Sequence, residues 1–347
     1  MTTTRTTIEV RGLTKSFRVF RRRAGILGGI RDLLHRRYQD FKAVNSISFD
    51  VRPGERVGLI GPNGAGKSTT VKMLTGILVP TSGEIHVAGY IPHRNRIACV
   101  KNIGAVFGQR TQLWWDLAVI ESFTLLGKIY GVPDSTLRSR IDRLNTILDI
   151  TRLLRTPVRK LSLGQRMRCD LAASLLHAPG LLFLDEPTIG LDIVAKDRVR
   201  AFLNEINQEF QTTIFITTHD LRDIEELCER ILIIDQGQLL FDGPLGEVKA
   251  VHTGETHFYV DLATAPPAGI LEGLGGEDVH WEQVSPLRFQ ATFDRHRVRP
   301  ADLVRALFSK IEVTDIEIPG PSIETVIKRI YQEGRVTMQP PAEGPLP

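Results

Sequence analysis

Hydrophobic and polar positions divide the chain into short apolar runs and longer amphipathic ones. Residues 8–17 and 43–51 read as β-strands around a basic stretch, and Pro53-Gly54 reads as a turn. The run 56–60 is an apolar strand that ends in a Gly-rich loop and continues as a helix over 68–78. Residues 133–176 are mainly helical, and the helix after Ser162 runs through Leu171 and Leu175. Further apolar runs at 181–184, 213–217 and 231–234 are separated by helical stretches such as 193–210. That alternation predicts a mainly parallel sheet buried on both faces.

The pattern shifts near residue 250. A Pro/Gly-rich stretch, 264–276, sits inside a strand at 257–262, a short helix, strands at 280–284 and 288–293, a helix at 301–311, a strand at 313–318 and a last helix at 323–333. The order βαββαβ predicts a small ferredoxin-like accessory domain. The expected organisation is a domain over 1–250, with a basic insertion at 18–42 and a helical subdomain at about 110–176, then an accessory domain over 251–335 and a disordered tail over 336–347. No internal repeat is evident.

With 347 residues, 42% hydrophobic and 24% charged, the chain can bury a full core, which excludes disordered, collagenous and disulfide-scaffold classes. Its mean hydropathy is −0.06. No apolar run approaches the ~18–20 residues of a spanning helix, and the polar, Thr-rich start does not read as a secretory signal, so a cytosolic location is expected. Cys99, Cys169 and Cys228 are odd in number and widely spaced, which argues against a disulfide framework or a zinc site. The net charge of +4 is too mild for a typical nucleic-acid binder, and no nucleic-acid partner is expected. Much of the excess is local. Between Arg18 and Lys42, seven Arg and one Lys face only Asp32 and Asp40, interleaved with Ile26, Ile30, Leu33, Leu34, Tyr38 and Phe41. Two readings stand: a basic amphipathic helix on lipid or a membrane partner, or a surface insertion packed on its own domain.

Gly61-Pro62-Asn63-Gly64-Ala65-Gly66-Lys67-Ser68, followed by Thr69, fits GxxxxGK[ST] and lies between an apolar strand and a helix, where phosphate binding requires it. The glycines let backbone N–H groups turn toward phosphates, Lys67 reaches the β and γ phosphates, and Ser68 is a Mg²⁺ ligand. The strand 181–184 then delivers Asp185 and Glu186 to its C-terminal end, where ligands bind in open parallel sheets. Asp185 suits the shell of Mg²⁺, and Glu186 is placed to orient, or take a proton from, an attacking water. A second acid directly after the metal-site acid points to hydrolysis.

Leu161-Ser162-Leu163-Gly164-Gln165 precedes a helix, and alone it could be an ordinary Ser cap. Together with Gln109, Asp192 and His219 it resembles the ATP-binding-cassette (ABC) transporter ATPases over roughly residues 8–250. Ser162 follows Lys67 by 95 residues, Asp185 follows Ser162 by 23, and His219 follows Glu186 by 33, in keeping with that resemblance. Leu163 departs from the usual LSGGQ, while Ser162, Gly164 and Gln165 are kept.

The resemblance implies an α/β P-loop NTPase fold of ABC type, with a mainly parallel sheet, an antiparallel β subdomain and a helical subdomain, plus the small α+β accessory domain. It implies ATP and Mg²⁺ as ligands, with Gln109 as the flexible-loop glutamine that touches the metal or water, His219 as the residue at the γ-phosphate, and Asp192 in the loop that links two active sites. Gln112 is the neighbouring competitor of Gln109. Phe17 matches the aromatic that stacks on adenine, with Tyr38 or Phe41 as alternatives because the insertion interrupts the path to the next strand.

In that family Ser162 and Gly164 cannot reach the nucleotide held by Lys67 of the same chain. A second copy, most simply a homodimer, is therefore implied, closing head-to-tail around two ATP. Transmembrane permease subunits in separate chains are the other implied partner, which places the chain at the cytoplasmic face of the plasma membrane. Trp114 and Trp115 are consecutive, so at least one is expected to be exposed for a permease helix, unless both pack internally across a loop. The insertion, the GQRTQLWWDL stretch and the C-terminal extension containing Pro321-Ser322-Ile323-Glu324 resemble a bacterial branch that exports drugs, antibiotics or lipid-like compounds. The alternatives are a soluble ABC ATPase acting on nucleic acid or the ribosome, which lacks support in a single cassette without a coiled-coil or zinc insertion, and an importer subunit. No NKxD motif supports a GTPase.

Overall fold

The computed structural model describes residues 7–20, 38–108, 110–250, 255–267, 269–271, 273–294, 297–317, 326–327 and 330. They fall into two compact units that divide between Gly243 and Pro244.

The first unit contains strands β1 (Ile8–Phe20), β2 (Tyr38–Val51), β3 (Arg56–Ile60), β4 (Ser82–Val87), β5 (Ile103–Phe107), β6 (Leu181–Asp185), β7 (Thr213–Thr217), β8 (Arg230–Asp235) and β9 (Gln238–Pro244). A six-stranded sheet has the order β5-β6-β7-β3-β8-β9, and β5 through β8 pair in parallel. Strand β7 is buried throughout, as expected for a strand covered on both faces. Because β3, β6 and β7 are parallel neighbours, the loops that follow them gather at one edge. A three-stranded antiparallel sheet, β2-β1-β4, packs over the helix Lys67–Leu74, and one apolar core runs through both sheets: Val10, Ile47 and Phe49 meet Val71, Phe183, Phe215 and Leu232. The rings of Phe49 and Phe215 stack at 5.9 Å.

Helices Val119–Tyr130, Asp134–Leu148 and Leu163–Leu175 form the helical segment. In the middle one Leu137, Ile141, Leu144 and Leu148 recur every three or four residues and are buried, while the remainder is largely polar. Helix Ile193–Phe210 matches the expected span 193–210. The helix after the Gly-rich loop is shorter than expected. It stops at Leu74 instead of 78, because Gly76 (φ +72°) takes the left-handed turn that closes a helix C-terminus.

The basic insertion expected at 18–42 is corrected at both ends. Residues 18–20 and 38–42 are strand, pairing Phe17 with Phe41, Arg18 with Asp40, Val19 with Gln39 and Phe20 with Tyr38. Aromatic pairs and the Arg18 guanidinium, 4.8 Å over the Tyr38 ring, favour a hairpin here over a helical stripe. Its centre, 21–37, lies outside the described residues.

In the second unit β10 (Glu255–Leu262), β11 (Val279–Ser285), β12 (Arg288–Asp294) and β13 (Val313–Glu317) form an antiparallel sheet of order β11-β12-β10-β13. Phe258, Val260, Phe289, Ala291 and Phe293 make one apolar face, closed by Leu303 and Leu307 of the helix Pro300–Lys310. Between β10 and β11, where a short helix was expected, the described residues contain a 3-10 turn, Gly276–Asp278. The Pro/Gly content of that stretch opposes a longer helix. The tail 336–347 and the motif at 321–324 lie outside the described residues.

Candidate functional site

The Gly-rich loop leaves β3 and enters the helix Lys67–Leu74 through Gly66, whose φ of +110° no side-chain-bearing residue adopts comfortably. A Cβ on Gly66 would stand 2.5 Å from the Ala43 carbonyl oxygen, and one on Gly61 2.3 Å from that of Ile234. Only glycine therefore lets the loop close against β2 and β8 with its N–H groups turned to the helix N-terminus, a ready anion site. Lys67 is 6% exposed, and its Nζ donates to the carbonyls of Gly61 (2.6 Å) and Pro62 (3.2 Å). Burial lowers its pKa, opposed by the charges of Glu186 and Asp185.

Asp185 ends β6. Its Oδ1 accepts from Ser68 Oγ (3.1 Å) and Thr217 Oγ1 (2.5 Å). Glu186 follows at φ +54°, a left-handed conformation that costs about 1–3 kcal/mol in a non-glycine residue and is held by a hydrogen bond from its N–H to the Thr217 carbonyl (2.9 Å). So held, its carboxylate meets His219, with Oε2 at 3.1 Å from Nδ1. A cleft of about 570 Å³ is lined by Gly61, Pro62, Asn63, Ser68, Glu186, Ile189 and His219. Hydroxyl and carboxylate oxygens are the ligands a hard divalent cation takes, so Ser68 and Asp185 fit Mg²⁺.

Asp223, wholly buried on the helix Leu221–Leu227, ties together the loops carrying Glu186 and His219. It accepts from Thr218 (3.3 Å), from Thr188 and from the buried Arg200 (2.9 Å). Motif reading passed over Thr217, Thr188 and Asp223. The legible signal was a hydroxyl or acid at an apolar, core-facing position.

The other candidates stand apart from this cleft. Ser162 caps the helix Leu163–Leu175, its Oγ accepting from Gln165 N while Gln165 Oε1 accepts from Ser162 N; neither they nor Gly164 line the cleft. Leu163 lies over Gly190: a Cβ there would stand 2.7 Å from Leu163 Cδ2. Asp192 caps the helix Ile193–Phe210 through Ala195 N (2.8 Å). Phe17, Phe41 and Tyr38, all partly exposed, sit on the β1–β2 hairpin and outside the cleft lining. Gln109 lies outside the described residues; its competitor Gln112 donates to the Asp170 carbonyl (3.0 Å). Trp114 and Trp115 are 39% and 52% exposed, so internal packing of both is excluded.

A strand, glycine loop and helix beside a carboxylate pair on a parallel sheet define a P-loop nucleotide-binding protein. Residues 44–189 match the family model described as ABC transporter. The chain is 33% identical over 312 residues to the daunorubicin resistance ATP-binding protein DrrA3 of Streptomyces coeruleorubidus, covering 88% of this chain and 96% of that protein. It is 34% identical over 213 residues to the linearmycin resistance ATP-binding protein LnrL of Bacillus subtilis, covering 61% and 68%. A solved ATP-binding subunit of an ABC transporter superposes with a TM-score of 0.59 at 25% identity, over 71% of this chain and 93% of that one. The chain belongs to the ABC transporter family and is an ATPase of that family. Among the described residues no helix is long and apolar enough to cross a membrane.

Proposed function

We propose that two copies of this chain close around two ATP, hydrolyse them and drive a separately encoded permease that exports a drug-, antibiotic- or lipid-like compound. The observation that carries the catalytic part is the Glu186–His219 contact at the mouth of a cleft that also holds Ser68. Lys67 and the loop N–H groups bind the phosphate tail. Ser68 and Asp185 hold Mg²⁺, aided by Gln109. The ion neutralises charge on the phosphate oxygens. Glu186 orients the attacking water and accepts its proton. His219, fixed through Nδ1, offers Nε2 as a donor to the γ-phosphate when protonated.

Ser162, Gly164 and Gln165 are absent from the cleft lining, which supports their acting on the nucleotide of the second copy, with Asp192 between the two sites. Phe17 takes the adenine. The exposed Trp114 and Trp115 support a permease docking surface, hence a peripheral position at the cytoplasmic face of the membrane. Export is supported by the resistance functions named for DrrA3 and LnrL. The strand order of the second unit supports a ferredoxin-like accessory domain beginning near residue 250.

Glu186→Gln tests the proposal. ATP binding is retained, phosphate release falls by at least a hundredfold and an ATP-dependent dimer accumulates in size-exclusion chromatography. Turnover at the parent rate rejects Glu186 as the base.

A further inference from the structure

Asp170 sits on the third turn of the helix that Ser162 caps, at a position facing the core and 4% exposed. It is an acid on a stripe with Met167, Leu171 and Ser174, all buried. Among the described residues its carboxylate is held by neutral donors from one segment, the one that follows Gln109: Thr111 Oγ1 donates to Oδ1 at 2.8 Å and Gln112 N at 3.0 Å. The Gln112 side chain returns to the Asp170 carbonyl at 3.0 Å, and Thr111 Oγ1 also accepts from Leu113 N at 3.1 Å. The carboxylate therefore organises a turn that belongs to another element.

A second set of contacts runs in the same direction. Residues 115–120 lie against 154–159, with Arg159 N donating to the Trp115 carbonyl (3.0 Å), Val158 N to that of Leu117 (3.0 Å), Val119 N to that of Thr156 (3.2 Å) and Ile120 N to that of Leu154 (2.9 Å). The strap 154–159 leads directly into Ser162, and the Arg166 guanidinium lies 5.5 Å over the Trp115 ring. The segment 111–120 is thus fastened to the helix of Ser162 at its core face through Asp170 and at its start through the strap. Taking a carboxylate out of water is costly, and neutral donors offset that only while all of them stay in place. A group of this kind specifies one arrangement of two elements more than it stabilises them.

We propose that Asp170 is a positioning residue. By locking the segment after Gln109 to the helix Leu163–Leu175, it sets the orientation in which Ser162 is presented to the nucleotide of the second copy. This deepens the dimer reading above and rests on it. A displacement of the Trp114–Trp115 surface is then delivered to Ser162 as a rigid movement, while the cleft at Lys67, which Asp170 does not touch, keeps its affinity.

Thr111→Val, Thr111→Ser and Asp170→Ala in the full chain test the inference, each also combined with Glu186→Gln. Thr111→Val and Asp170→Ala lower kcat for ATP about tenfold with KM within twofold, and raise the ATP concentration that drives Glu186→Gln dimerisation by a similar factor. Thr111→Ser, which keeps the hydroxyl donor, restores both. Thr111→Val is the decisive variant if Asp170→Ala fails to fold. Parent kcat and parent dimerisation in folded Thr111→Val overturn the inference, as does an equal loss in Thr111→Ser. If Glu186→Gln alone binds ATP without dimerising, the dimer reading falls and this one with it.

Discussion

Glu186 Oε2 and His219 Nδ1 stand 3.1 Å apart, although they end different strands and are 33 positions apart in the chain. The contact exists because β6 and β7 are parallel neighbours and Glu186 turns left-handed at the strand end. Replacing His219 with Ala removes the group that orients the carboxylate and the second donor on its ring. Phosphate release falls about 10²-fold, the scale of a lost acid–base partner, while binding of a fluorescent ATP analogue stays within a few fold. Full turnover in His219→Ala excludes the assignment.

Thr217 Oγ1 supports Asp185 at 2.5 Å, and the residue is fully buried. Thr217→Val keeps the shape and removes the donor, leaving Ser68 to orient the carboxylate. A hydrogen bond to a charged group is worth about 1.5–3 kcal/mol, so the Mg²⁺ concentration for half-maximal hydrolysis rises by roughly tenfold or more. Titration of activity with Mg²⁺ at saturating ATP measures it, and an unchanged midpoint contradicts the metal assignment.

Gly190 has φ +70° and Leu163 directly above it. Gly190→Ala combines an unfavourable backbone region with a 2.7 Å approach to Leu163 Cδ2, and lowers stability by about 1–3 kcal/mol. Leu163→Gly, the form common in the family, relieves the clash, so the double variant recovers part of the loss in denaturant unfolding. No recovery separates the two residues energetically.

Burial pushes the Asp170 carboxyl up from 3.8 to about 6, partly offset by the hydrogen bonds from Thr111 and Gln112. A raised acid pKa means the folded state holds its proton longer than the unfolded one. The contribution to stability is therefore gained as pH falls from about 6 toward 4 and lost as pH rises through that window, by on the order of 3 kcal/mol at full ionisation. Asp170→Asn removes this dependence. Unfolding free energies of the two proteins between pH 4 and 7 diverge accordingly, and parallel curves refute the shift.

Trp114 and Trp115 form the exposed aromatic surface beside Arg159 and Arg166. With both replaced by Ala, ATP hydrolysis by the isolated chain persists, and transport by membranes carrying the permease falls at least tenfold, as for loss of two hot-spot aromatics. Normal transport by the double variant removes the docking assignment, and co-sedimentation of the wild-type chain with ribosomes in place of membranes removes the permease altogether.

The sequence by itself determined the nucleotide site: GxxxxGK[ST] after an apolar run, and two acids at the end of another, carry their chemistry locally through backbone turns and strand ends. It also determined the alternation of short apolar runs and helices, because burial on both faces demands continuous apolar strands. Tertiary structure alone decided which distant groups meet. Register places Thr217 under Asp185, a left-handed residue points Glu186 at His219, and the packed core puts the carboxylates of Asp223 and Asp170 on donors from other segments. It also turned the ends of the basic insertion into a hairpin, since the pairing of Phe17 with Phe41 and Phe20 with Tyr38 is a relation across 24 and 18 positions that no local periodicity contains. Local pattern specifies an element, whereas a buried polar contact is chosen by whichever partner the close-packed fold brings within reach.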